Sequence, residues 1–163
     1  MKMFKRLKGF KKNKKGALAI EIVIGMMMFL MIVSFVTDVA LLTWKFTVIS
    51  DTNSYLARTV GIQGGLSGST PTNYPGGSGA YITRGEMDSI IKGNMDKAGI
   101  KNYSYNLSDY SADYGDMIDT ELKAEYKWAM LSNWIPGNVT NEIVSKRSVM
   151  SEFQFRYDNF RGE

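Results

Sequence analysis

"KKNKKGALAIEIVIGMMMFLMIVSFVTDVALLTW", Lys11 to Trp44, decides the fold of this chain. From Ala17 to Trp44 the charged residues are Glu21 and Asp38 alone, and Ile22 to Thr37 contains no ionisable group. Read as a helix rising 1.5 Å per residue, the run extends roughly 40 Å, more than the ~30 Å of a bilayer's hydrocarbon. It can span with length to spare. The apolar region of a secretory signal is shorter, about 7 to 15 residues, and ends at a small-residue cleavage site. A lysine-rich flank before the run places that end in the cytoplasm and the C-terminal part of the chain outside.

The charge of the chain is concentrated in that flank. Between Met1 and Gly16 stand eight basic residues (Lys2, Lys5, Arg6, Lys8, Lys11, Lys12, Lys14, Lys15) and no acid, within a chain of 163 residues and net charge +4. Without them the remainder carries −4, so no nucleic-acid contact is expected for the folded part. Cysteine and histidine are both absent. That excludes disulfides, Ser-His and Cys-His nucleophile pairs and His/Cys zinc sites, and leaves carboxylate chemistry as the enzymatic option.

Glu21 is the residue that composition does not explain. An ionised carboxylate in a membrane helix costs about 2.5 to 3.5 kcal/mol at the centre and less near an end, so it calls for a partner. Lys14 and Lys15 lie six or seven residues away, outside the three- or four-residue reach along a helix. The partner must come from elsewhere. Asp38 is read as marking the outer membrane boundary or touching a neighbouring helix, and Met26, Met27 and Met28 as adaptable apolar packing rather than a metal or haem site.

"KKGALAIE" resembles the type IV prepilin cleavage signature: a basic leader, Gly16 as the last leader residue, a hydrophobic helix from Ala17, and a glutamate fifth after the cut. With the rest of that helix, through Ala57, Arg58 and Gly65, and a compact α+β tail, the chain is similar to TadE-like minor pseudopilins of tight-adherence and related systems. The resemblance implies cleavage between Gly16 and Ala17 by a membrane-embedded prepilin peptidase, methylation of the new amine, and polymerisation through the helix. It also implies other pilin subunits, an assembly ATPase and a membrane platform protein as partners. Cleavage would leave a positive amine on Ala17, one turn from Glu21. On the same or a neighbouring chain that amine neutralises the carboxylate, and a docked subunit escapes the cost of a buried unpaired charge. Glu21 would then set the axial register of assembly.

Beyond Trp44, Val48, Ile49, Leu56 and Val60 recur at helical spacing, which extends the helix to about Val60. Gly61 to Ala80, dominated by Gly, Ser, Thr and Pro, reads as a loop. Thr83 followed by Glu86 fits a capping box, with Met87, Ile90, Ile91 and Met95 as an apolar stripe before Gly99. "TELKAEYKWAML", Thr120 to Leu131, alternates as a half-buried strand. "NYSYNLS" before it and "VSKRSVMSEFQFRYD" after it are its expected partners, with Phe153, Phe155 and Tyr157 on one face and Asn133 to Asn138 turning between.

The expected fold class is therefore α+β. A basic leader (1–16) precedes a long transmembrane and amphipathic helix (17–60, membrane-spanning over about 17–44), a loop (61–82) and an extracytoplasmic head (83–163) with one helix on an antiparallel sheet. Membrane lipid is an expected partner, and no enzymatic activity or cofactor is expected. Asp109, Asp113, Asp116 and Asp119, with Glu121 close by, form a short acidic region that reads first as a solvated loop; its oxygens could hold calcium, but the spacing is not that of an EF-hand and no metal site is expected. The Asn138 glycosylation pattern is read as chance. Tyr103, Tyr105, Tyr110 and Tyr114 read as half-buried sheet or as a surface for sugar or protein. Two other classes remain open: an uncleaved, single-pass membrane-anchored binding module or adhesin, and a membrane-tethered hydrolase using the acidic segment.

Overall fold

The computed structural model describes residues 14–71, 74–76, 79–134 and 140–153. Helix α1 runs Lys14–Gln63, 50 residues. Helix α2 (Arg84–Lys97) is next, then strands β1 (Tyr103–Leu107) and β2 (Met117–Lys127), a 3₁₀ turn at Leu131–Asn133, and β3 (Thr140–Met150). The strands form an antiparallel sheet ordered β1-β2-β3, with Leu122 opposite Tyr105 on one side and Ser145 on the other. A long apolar N-terminal helix followed by one helix and a three-stranded antiparallel sheet makes the class α+β.

The described residues fall into two compact units, one of α1 up to Ala40 with residues 128–134, the other of Leu41–Lys127 with β3 and the residues after it. In the second unit the helical spacing read from the sequence becomes a core. Ile49, Leu56 and Val60 of α1, Met87, Ile91 and Met95 of α2, and Ile118, Leu122, Ala124 and Tyr126 of β2 are all buried. Alternation along β2 sends its even-numbered residues inward, while the odd ones line an open, charged face. There Glu121 meets Lys146 at 2.8 Å and Lys123 at 3.5 Å, and the Lys146 hydrogen bond is the main reason its carboxyl lies below the usual range.

Polar groups inside the core join its parts. Asn53 Nδ2 of α1 donates to Ser145 O of β3 at 2.9 Å. The Gln63 amide pairs with the backbone of Ile82 in both directions, at 3.0 and 2.9 Å. Helix α1 stops where Gly64 takes φ +73°, and Gly65 comes next at φ +140°. A Cβ on Gly65 would stand 2.1 Å from Tyr110 O, so that position requires glycine for space as well as conformation. Thr83 caps α2: its side chain accepts from Glu86 N at 3.4 Å while Glu86 Oε2 accepts from Thr83 N at 2.8 Å.

Several expected boundaries shift. Helix α1 extends from Lys14 to Gln63 rather than over 17–60, and the loop after it begins at Gly64. Strand β2 begins at Met117 and ends at Lys127, short of the expected Leu131, although Trp128 and Met130 continue its alternation. Strand β3 begins at Thr140 and stops at Met150, before Phe153. It stops because Ser151 N turns to Asp116 O at 2.8 Å and Glu152 N to Gly61 O at 2.7 Å. Phe155, Tyr157, residues 135–139 with Asn138, and the leader before Lys14 lie outside the described residues.

Candidate functional site: the exposed apolar helix and its two carboxylates

The first unit is built on α1. From Leu18 to Val39 its large apolar side chains are exposed, including every residue from Met26 to Val33, so the exposure covers all sides of the helix. A helix apolar all round belongs in a core or a membrane. None of the most apolar stretch of this one is buried by the chain, and it is long and apolar enough to cross a membrane. Its hydroxyls suit that setting: Ser34 Oγ donates to Leu30 O at 2.8 Å and Thr37 Oγ1 to Val33 O at 2.9 Å, which leaves no donor hydrogen of either facing hydrocarbon.

Gly16 and Ala17 lie exposed in the first turns of α1. Glu21 is four residues after Ala17 and Gly25 four after Glu21, so the three share one face. Glu21 is exposed, and a side chain added at Gly25 would meet nothing within 4 Å. The carboxylate thus stands in an open face with apolar neighbours, with no hydrogen bond or ion pair to another described residue.

Asp38 differs in every respect. It is fully buried, and its carboxylate accepts from three successive backbone amides: Ala129 N at 3.1 Å, Met130 N at 3.1 Å and Leu131 N at 2.7 Å. Those amides open the 3₁₀ turn, for which Met130 in the cap position supplies no side-chain hydrogen bond. Asp38 caps it from 91 to 93 residues away. Its contact is therefore with a turn of its own chain. Sequence signalled half of this: an acid closing an uncharged run, and an uncharged segment from Trp128 with two tryptophans, without showing that the two meet.

The acidic residues of the second unit take separate tasks. Asp109 Oδ1 accepts from Ser111 N at 3.0 Å, Asp116 Oδ2 from Asp113 N at 3.2 Å, and Asp119 from the Ser148 hydroxyl. Among the described residues no group of three or more carboxylates is placed to hold a metal ion. Of the four tyrosines, Tyr105 donates to Asp88, Tyr110 lies under the Arg84 guanidinium at 4.8 Å, and Tyr114 is exposed. Burial, followed by the Asp88 hydrogen bond, pushes the Tyr105 hydroxyl up to about 12. A groove of about 470 Å³ between α1 and α2 is lined by Trp44, Val48, Tyr55 and Ile90, with Asp51 its one carboxylate.

No family model matches the chain, and no curated protein or solved structure matches it significantly.

Proposed function

We propose that this chain is a TadE-like minor pilin subunit, cleaved between Gly16 and Ala17 by a prepilin peptidase and assembled through α1 into a pilus or pseudopilus. The observation that carries the reading is Glu21, an acid on the open Ala17–Glu21–Gly25 face of a helix apolar on all sides. In hydrocarbon that carboxylate is costly, and the amine freed on Ala17 is one turn away. Paired with that amine on an adjacent subunit, it is neutral as a unit and in a single axial register. The absence of a side chain at Gly25 gives the adjacent helix room to approach. An assembly ATPase and a membrane platform protein would drive extraction, and the chain before that step is a single-pass membrane protein with its N-terminus cytoplasmic.

The test is the N-terminal residue and intact mass of protein isolated from membranes of its own host. Cleavage predicts a chain starting at Ala17, with or without a methyl group. Gly16→Arg should block that cleavage, whereas Glu21→Ala should be cleaved yet fail to enter filaments. An uncleaved chain in the presence of active peptidase would refute the reading and favour an anchored binding module; normal incorporation of Glu21→Ala would remove the basis for a register role.

A further inference from the structure

The β2–β3 connection of the first unit has no place in subunit cleavage or register. Its sequence from Trp128 to Asn141 contains no charged residue and holds two of the three tryptophans of the chain. Its described part, 128–134, turns on the Asp38 carboxylate, and the turn leaves apolar side chains outside: Met130 is 45% exposed and Trp134 38%. A polar loop would be the default at a surface, because backbone amides there are hydrated. Here the three leading amides are satisfied by Asp38, and Trp134 N donates to Leu131 O at 2.9 Å.

We propose that the 128–134 turn is a second membrane contact, seated in the interfacial layer of the bilayer that α1 crosses, with Met130 and Trp134 in lipid. This rests on α1 spanning the membrane. Lipid is the occupant that fits, for three reasons. The turn is pinned at Asp38, directly after the exposed apolar residues of α1, so its surface continues theirs within one compact unit. It carries no charge to be desolvated, and tryptophan is the residue enriched where hydrocarbon meets headgroups. The amides of Ala129, Met130, Leu131 and Trp134 are bonded before they leave water, which lowers the cost of placing a non-helical backbone at that depth. Asp38 enters the same layer with its carboxylate already satisfied by three donors rather than by water. The contact would fix the rotation of the chain at the membrane surface, as interfacial anchors do.

A chain without cysteine allows a single nitroxide to be placed at will. Met130→Cys, Ile24→Cys and Tyr114→Cys, each labelled and reconstituted as the full chain in liposomes of phosphatidylcholine with phosphatidylglycerol, would be compared for collision with oxygen and with a water-soluble nickel chelate. Ile24 reports insertion of α1, and Tyr114, 69% exposed in the second unit, reports the aqueous phase. The expected result is oxygen-favoured collision at Met130, shallower than at Ile24 and at least about fivefold above Tyr114 in the oxygen-to-nickel ratio. A water-like Met130 beside a deep Ile24 overturns the inference and leaves the spanning helix intact. A water-like Ile24 overturns both. A Met130 label shielded from both reagents means that protein covers the turn, which overturns the assignment to lipid. Should the label disturb the turn, Trp44→Phe retains Trp128 and Trp134, whose emission must be quenched by phosphatidylcholine brominated near the headgroup; unquenched emission overturns the inference equally.

Discussion

Removing the Asp38 carboxylate should release the 128–134 turn. Three amides converge on its two oxygens at 2.7 to 3.1 Å in a fully buried position. Hydrogen bonds to a charged group are worth about 1.5 to 3 kcal/mol each, so simple addition gives roughly 5 to 9 kcal/mol. That sum overstates the effect, because Met130 and Trp134 are already partly exposed and the turn can open locally to water without unfolding the sheet. Asp38→Ala should therefore cost about 3 kcal/mol in local opening, a roughly hundredfold faster amide exchange at about 1.4 kcal/mol per tenfold. In Asp38→Asn one carbonyl oxygen remains for Ala129 and Met130, while an amide donor faces Leu131 N–H. About half the loss, roughly 1.5 kcal/mol and about tenfold in exchange, is expected there. Hydrogen exchange of the full chain in detergent micelles, read on peptides covering 128–134, measures both. Exchange in Asp38→Ala within about twofold of the parent would refute the capping role, as would an asparagine variant more labile than the alanine one.

The second unit supplies two more tests. Gly65→Ala places a methyl 2.1 Å from Tyr110 O at φ +140°, so backbone must move. A loss of at least about 3 kcal/mol in denaturant unfolding is expected, and a change below about 1 kcal/mol would refute the close approach. Tyr105 has its hydroxyl raised from 10.0 to about 12, so its proton is held more tightly in the folded state. Its contribution is complete below the unfolded value and is lost as pH rises through the folded one. Stability of the parent relative to Tyr105→Phe should be constant below pH 10.0 and fall between there and about 12, while the variant loses one phenolate component from the high-pH end of the absorbance titration. Loss of a component at the ordinary tyrosine pH instead would contradict the half-burial of Tyr105 and its hydrogen bond to Asp88.

Where the deciding interactions are local, sequence was enough. An apolar run this long without charge reads as a helix that a membrane or core surrounds, since only a helix satisfies its backbone within the one segment and strands are far shorter. Thr83 and Glu86 are three residues apart, and both bonds of the capping box formed. The inward set of β2, from Leu122 to Tyr126, was legible because its period of two is a property of the strand itself. The joints over long separations were hidden. Alternation runs on through Trp128 and Met130, yet the strand ends at Lys127 because amides 129–131 bind Asp38 and are taken from any ladder. Nothing nearby in sequence says so. Gly65 looks like any loop glycine until Tyr110 O is beside it, and the acidic residues look like a cluster until Ser111, Asp113 and Ser148 draw three of their carboxylates to separate donors. Period, capping and charge act over a few residues and are written in order along the chain; which carboxylate meets which amide some ninety residues away exists only once the tertiary fold brings them together.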